Sequence, residues 1–224
     1  MQFINTMIIY KSLDWIKISI PMYKKHFKEQ LLVVNNSNDP AESQFARDQG
    51  CIVIENKGHT QHGDGLDRAL KWCKSNRKDG MIAIEPDCLV KGRRWYEALA
   101  RAIEGGYWMA GLFKRSHGPI HPCPSAWRVD KVRHSFNTVP KGADIHHPRF
   151  LELFSLRTLI DNLAKDQHSD RINRFCLFMW DTGFKNWFDI ATQNKAVHIN
   201  IPDQDFIHLW HGSERGPDKN NQMI

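Results

Sequence analysis

The sequence predicts an α/β protein with a mostly parallel central sheet flanked by helices. Apolar, strand-like runs alternate with amphipathic helical stretches in the first half of the chain, which favours parallel strands joined by right-handed crossovers. The clearest unit is GMIAIEPDCLVKGRRWYE at residues 80–97, which predicts a buried strand, an acidic turn and a helix. With 224 residues and 41% hydrophobic residues, the chain is long enough for one domain with a sizeable core.

The predicted elements follow from local apolar periodicity and from turn-forming residues. In chain order they are a strand at 3–10, a helix at 13–27, a strand at 30–34, a helix ending near 49, a strand at 51–55, a helix around 66–73, a strand at 81–84, a helix from 92 and a strand at 107–113. We expect Pro21 to kink or split the first helix. The region 114–149 is rich in His, Pro and Gly and predicts long loops with one short strand near 126–129. A helix containing 184–191 and strands at 196–201 and 206–210 complete the pattern.

Composition and charge restrict the class of protein and its partners. The 5 cysteines are far apart, odd in number and without CxxC spacing, which favours a reduced, intracellular protein. The N-terminus does not resemble a secretion signal, and no stretch approaches the roughly 20 apolar residues of a transmembrane helix. We therefore expect a cytoplasmic protein, with at most peripheral contact at the inner face of the membrane. The net charge of +6 favours anionic partners, but the basic residues are too scattered for nucleic acid to be the expected one.

Two carboxylates are predicted at the carboxyl end of the strand at 81–84. Pro86 cannot donate a ladder hydrogen bond and restricts Glu85 to extended geometry, so the strand should stop there, beside Asp87. Ligands of open α/β sheets bind in crevices at such strand ends. Carboxylate oxygens suit Mg²⁺ or Mn²⁺, and His208 or His211 would add an imidazole. The alternatives are a pair of solvated turn residues and two surface or packing histidines.

The order of these segments resembles the nucleotide-sugar glycosyltransferases of family 2, which have the GT-A fold. The segments that carry the resemblance are the opening strand, VVNNSND at 33–39, NKGHTQHGDGLDRAL at 56–70, IAIEPDCLVKGRRWYEAL at 82–99, WDTG at 180–183 and HLWHGS at 208–213. The resemblance implies a GT-A type fold with an irregular acceptor-side region. We expect one domain, 1–224, with a nucleotide-binding half at 1–113, an acceptor-side half at 114–212 and a mobile tail at 213–224.

The resemblance also implies a divalent metal cofactor, Mn²⁺ or Mg²⁺. Asp87 would be its main ligand, assisted by Glu85 and by one of the two late histidines, of which His208 fits the family better than His211. Family members commonly have Asp where this chain has Glu85, whose carboxylate reaches one methylene farther.

The same resemblance assigns nucleotide contacts. The residues implied are Tyr10, Asn35, Asp64 and Glu85. Family members usually have an Asp at the position of Asn35, where it helps to read the base; an amide both donates and accepts hydrogen bonds, so recognition of uracil is open. Asp64 also fits a helix cap, and VVNNSND also fits a plain turn rich in Asn and Asp.

By the same resemblance, Asp181 holds the place of the carboxylate base in inverting family members, which takes the proton from the acceptor hydroxyl. Its alternative role is to cap the helix that follows. His121 and Trp127 lie in the region that would face the acceptor, and packing within a loop is the alternative for both.

The resemblance therefore implies a hexosyltransferase-like, inverting and metal-dependent glycosyltransferase. Its donor would be a nucleoside-diphosphate sugar, with UDP preferred and GDP possible, and its acceptor an unidentified glycan, lipid-linked or protein hydroxyl. A sugar-phosphate nucleotidyltransferase is the first alternative, although residues 10–14 lack the glycine that a triphosphate-gripping loop would need. A non-catalytic basic module that binds nucleotides or glycans is the second alternative.

Overall fold

A seven-stranded sheet lies at the centre of the computed structural model of the protein. The structure describes residues 1–37, 39–56, 61–112, 120–121, 123–138, 148–149, 182–200 and 205–209. In chain order the strands are β1 (Phe3–Ile9), β2 (Leu31–Asn35), β3 (Ile52–Glu55), β4 (Gly80–Ile84), β5 (Cys88–Val90), β6 (Met109–Gly111), β7 (Ser125–Arg128), β8 (Ala196–His198) and β9 (Phe206–His208). The central sheet has the order β3-β2-β1-β4-β7-β6-β8, and β5 and β9 form a separate two-stranded sheet.

The central sheet is mostly parallel. The pairs β1–β2, β1–β4, β2–β3 and β6–β8 are parallel, and only the two pairs made by β7, with β4 and β6, are antiparallel. Strand β4 is buried along its whole length, as its continuous apolar sequence predicts. The sheet thus confirms the predicted fold class.

Helices cover both faces of the sheet. The helices are α1 (Leu13–His26), α2 (Pro40–Asp48), α3 (His62–Ser75), α4 (Arg94–Glu104) and α5 (Phe184–Ala191), with a 3₁₀ turn at Val129–Lys131. Apolar side chains of α1, α2 and α4 pack on one face, and those of α3 and α5 pack on the other. Successive side chains of a strand point to opposite faces of the sheet. In β1, Ile8 therefore packs in the layer of α3 and Ile9 in the layer of α1.

Most predicted elements are confirmed to within a few residues, and one prediction is corrected. Pro21 does not split helix α1, because it lies on the exposed side, where water can satisfy the carbonyl that the missing N–H leaves; a kink there remains a prediction. The last predicted strand also forms, as β9, which pairs with β5 in the small sheet. Among the helices of the described residues, none combines the length and the hydropathy needed to cross a bilayer.

Candidate functional site

The carboxyl ends of three parallel strands lie side by side in the central sheet. The register pairs Ile9 with Asn35 and Met7 with Ile84, so the carboxyl ends of β1, β2 and β4 are neighbours. The chain order reverses between β1 and β4, since β2 and β3 lie on one side of β1 and the later strands on the other. Such a reversal opens a crevice where α/β sheets bind ligands.

The acidic turn follows β4 at this end of the sheet. The amide of Cys88 donates to the carbonyl of Glu85 at 3.0 Å, which closes the turn before β5 begins. Strand β5 pairs with β9 in a register that sets Cys88 opposite His208, and the amide of Leu209 donates to the carbonyl of Asp87 at 3.2 Å. This pairing brings His208 to the turn from 123 residues farther along the chain.

His208 lies between the two carboxylates. Its Nε2 donates to Glu85 Oε2 at 2.8 Å and lies 3.5 Å from Asp87 Oδ1. Asp87 and His208 are buried, at 3% and 7% exposure, whereas the Glu85 side chain is 22% exposed and forms the rim. The predicted cluster of Glu85, Asp87 and His208 is therefore assembled in the structure.

The pKa values of this cluster are shifted in opposite directions. Burial by itself raises the pKa of Glu85, but the hydrogen bond from His208 and the nearby imidazoles of His62 and His121 lower it to about 2. Burial lowers the pKa of His208, but its hydrogen bonds to Asp87 and Glu85 raise it to about 9. At neutral pH an imidazolium at His208 thus lies against the ionised carboxylate of Glu85. A divalent cation bound here would take the place of that proton.

Two further side chains adjoin Glu85. His62 Nδ1 lies 4.0 Å from Glu85 Oε1, and the Cys123 thiol lies within 4.8 Å of a ligand atom of each of these residues. Burial raises the pKa of this thiol well above its ordinary value, and the charge of Glu85 raises it further. The ring of His121 lies 5.4 Å from that of His208, centroid to centroid. Sequence reasoning missed His62 and Cys123; the only available signal was that each lies in a polar or irregular connection next to a strand.

A clamp on β9 fixes the position of His208. The carboxylate of Asp205 accepts from the backbone N–H of Arg94 at 3.1 Å and from its Nε at 2.9 Å. The carbonyl of Asp205 accepts from the amides of Lys91 and Gly92 at 2.7 and 3.1 Å. Since Asp205 is the residue before β9, these bonds tie that strand to the start of α4. The contact between Arg94 and Asp205 could not be predicted from a local sequence pattern, because the two residues are 111 positions apart in the chain.

A buried carboxylate joins the turns after β1 and β2. Glu42, in the first turn of α2, is fully buried and accepts hydrogen bonds from the Ser12 amide and the Ser37 hydroxyl. It therefore holds together two of the loops that border the crevice. Sequence reasoning missed this residue as well.

The residues expected to contact the nucleotide surround the crevice. Tyr10 follows β1 and is 39% exposed. The Asn35 amide is buried, donates to Ser43 Oγ at 2.8 Å and accepts from the Ser37 amide at 2.8 Å, so it shapes the turn before α2. Asp64 accepts from Asn137 Nδ2 at 2.6 Å. Their contacts with a nucleotide remain predictions.

Two capping alternatives are wrong. Helix α3 has Gln61 at its N-cap, which makes Asp64 its third residue. Helix α5 has Gly183 at its N-cap, with a φ of 79° that favours glycine, so Asp181 is not its cap. Asp181 and His211 themselves lie outside the described residues, and their predicted roles as base and metal ligand remain predictions. Trp127 is fully buried in the core beside Phe136, so it is a packing residue, but it lies on strand β7 and not in a loop.

Comparison with known proteins gives likeness in structure only. No family model and no curated protein matches the chain. Glucosyl-3-phosphoglycerate synthase from Mycobacterium tuberculosis, in complex with Mn²⁺, UDP and glucosyl-3-phosphoglycerate, matches with a TM-score of 0.52 at 12% identity, over 92% of this chain and 71% of that chain. S. aureus TarS 1–349 in complex with UDP-GlcNAc matches with a TM-score of 0.46 at 13% identity, over 62% of this chain and 49% of that chain.

The chain spans 30–54% of the length of the TarS structures that it matches. At this low identity, the likeness to the M. tuberculosis synthase concerns the fold. The mostly parallel seven-stranded sheet, flanked by helices on both faces, is that of a GT-A type protein, as the sequence predicts.

Proposed function

We propose that the protein is a glycosyltransferase that moves a sugar from a nucleoside-diphosphate donor to a hydroxyl acceptor. The observation that carries this proposal is the convergence of Glu85, Asp87 and His208 at the carboxyl edge of a GT-A type sheet. Two carboxylates and one imidazole there can hold a cation, and a cation at this edge can receive a diphosphate.

The donor set fits a divalent metal of the Mn²⁺ or Mg²⁺ class. Asp87 and Glu85 offer hard oxygen atoms, and His208 offers a ring nitrogen within 3.5 Å of a carboxylate oxygen of each. When bound, the metal would neutralise the charge that develops on the departing diphosphate. The M. tuberculosis synthase contains Mn²⁺ and UDP, which supports a UDP-sugar as the donor of this chain.

We propose Asp181 as the base of an inverting transfer. A carboxylate in that role accepts the proton of the acceptor hydroxyl. The hydroxyl oxygen attacks the anomeric carbon at the same time, and the bond from that carbon to the diphosphate breaks. The N-cap of α5 is Gly183, so helix capping does not account for Asp181.

Calorimetric titration of UDP and GDP tests the metal site. We expect binding with Mn²⁺ to the native protein, and a large loss of affinity with EDTA or in Asp87→Asn, because the diphosphate then meets uncompensated negative charge. Asp130→Asn is the matched control. Asp130 lies just after β7, near the end of β4 that is opposite the acidic turn, because Arg128 of β7 pairs with Gly80. The carboxylate of Asp130 is exposed. Equal affinities in all these conditions would exclude a metal-dependent nucleotide site.

Asp181→Asn tests the base. Asn cannot accept the proton, so we expect normal donor binding and a rate of sugar transfer lower by about 10²–10⁴. Until an acceptor is known, slow hydrolysis of the donor to free sugar serves as the assay. A native rate in this variant would show that another carboxylate is the base.

A further inference from the structure

We propose that His62, Glu85 and Cys123 form a second metal site, selective for a borderline-soft divalent ion of the Zn²⁺ class. Each residue offers one ligand atom, and the three atoms lie within 4.8 Å of one another. The set contains a sulfur, a nitrogen and an oxygen atom, which are the donors that Zn²⁺ takes in proteins. This inference goes beyond the proposed sugar transfer and does not depend on it.

The distances are close to those of a bound ion. Zn–S bonds of about 2.3 Å and Zn–N or Zn–O bonds of about 2.0–2.2 Å place tetrahedral ligand atoms roughly 3–4 Å apart. Shifts of about 1 Å in the His62 and Glu85 side chains would complete the set. His62 can make such a shift, because its Nε2 is buried without a hydrogen-bond partner among the described residues, and its Nδ1 is 4.0 Å from Glu85.

The site is open on one side and closed on the other. The side chains of His62 and Glu85 are 27% and 22% exposed, so an ion can reach them from solvent. Cys123 is fully buried beneath them. Three protein ligands with an exposed rim leave the fourth position of a tetrahedral ion to water or to an anion.

The other thiol near the acidic turn is a poorer ligand. Cys88 lies within 4.8 Å of ligand atoms of Asp87 and His208, but all three residues are buried. The hard carboxylates and His208 suit Mn²⁺ or Mg²⁺, whereas a thiolate selects Zn²⁺. Glu85 also accepts a hydrogen bond from His208, so an ion at His62 and Cys123 would draw this carboxylate away from His208.

Binding requires no redox step. The Cys123 thiol gives its proton to solvent as the S–metal bond forms, and Glu85 is already ionised. The thiolate and the carboxylate then balance the two charges of the ion. One proton is released for each ion bound, beyond any proton released from His62.

Cobalt substitution tests the site, because Co²⁺ replaces Zn²⁺ in such sites and a thiolate ligand gives a charge-transfer absorption in the near ultraviolet. We titrate the metal-free protein with Co²⁺ and expect this absorption to saturate near one equivalent and to disappear when Zn²⁺ is added. Cys123→Ala should abolish it, and His62→Ala should weaken Co²⁺ binding at least tenfold. Cys73→Ala is the matched control, since Cys73 is buried in the same apolar layer but is not part of the cluster. Cys88→Ala should also retain the absorption.

Each outcome decides the proposal. Absence of the absorption in the native protein, its persistence in Cys123→Ala, or its loss in Cys88→Ala would overturn it. If Cys123→Ala does not fold, His62→Ala decides, because this side chain is partly exposed, and unchanged Co²⁺ affinity there overturns the proposal. The absorption should survive Asp87→Asn, which removes the proposed Mn²⁺ site, so failure of the thiolate site and failure of the proposed function are separate results.

Discussion

A single methyl group at Gly92 tests how the structure positions His208. A Cβ at Gly92 would lie 2.5 Å from Asp205 Cγ and 2.7 and 2.8 Å from its two carboxylate oxygens. Carbon atoms in contact are about 3.5–4.0 Å apart, so Gly92→Ala forces the carboxylate to move by about 1 Å or more. Because the side chain of Asp205 is short, its carboxylate cannot move that far unless the start of β9 moves with it.

The expected magnitude follows from this displacement. Inserting a methyl group into a packed site costs about 1–3 kcal/mol of unfolding free energy. The move also breaks the bonds from Asp205 to the backbone and guanidinium of Arg94, at 3.1 and 2.9 Å. His208 is three residues farther on, and a metal site tolerates only about 0.2 Å of error in its ligand distances. We therefore expect Mn²⁺ affinity to fall about 10–100-fold, the usual effect of losing the support of a ligand.

Urea unfolding and Mn²⁺ titration of Gly92→Ala measure the two effects. Gly105→Ala, at the other end of α4, is the control for a methyl group far from the clamp: its Cβ would lie 3.1 Å from the carbonyl oxygen of Arg101, so we expect some loss of stability and native Mn²⁺ affinity. Native stability and native Mn²⁺ affinity in Gly92→Ala would refute the reasoning about the clamp. Lower stability with native Mn²⁺ affinity would show that the clamp supports the fold and not the site.

Three other variants test the supports of the site and the core. Glu42→Ala should lower the unfolding free energy by about 2–4 kcal/mol in urea, because the Ser12 amide and Ser37 hydroxyl lose their buried acceptor; a loss below 1 kcal/mol would contradict this. Burial raises the pKa of Tyr23, so the fold favours the neutral phenol and loses stability as pH rises above about 10. Tyr23→Phe should make that alkaline loss of melting temperature shallower, and an unchanged slope would contradict it. The guanidinium of Arg94 lowers the pKa of the Asp205 carboxyl. The contribution of this ion pair to stability is therefore present above about pH 4 and is lost as the pH falls further. Asp205→Asn should make the fall of melting temperature with decreasing pH shallower, and an unchanged slope would contradict this.

The sequence alone determined the elements and their arrangement in layers. The continuous apolar run at 81–84 predicts a strand buried on both faces, and the spacing of Trp95, Leu99 and Ile103 predicts the buried face of α4. Pro86 predicts the end of β4 and the carboxylates beside it. These properties depend on residues that are neighbours in the chain, so local periodicity and backbone restrictions suffice to predict them.

Only the tertiary structure decided which residues meet at the acidic turn. His208 reaches Glu85 because β9 pairs with β5 in one register, and a shift of one residue would turn the imidazole to the other face. His62 and Cys123 meet at Glu85 because their connections end at the same edge of the sheet. The sequence predicted the two carboxylates and the histidine as site residues. Contacts between distant segments depend on strand order, register and burial, and a local sequence pattern carries no information about these.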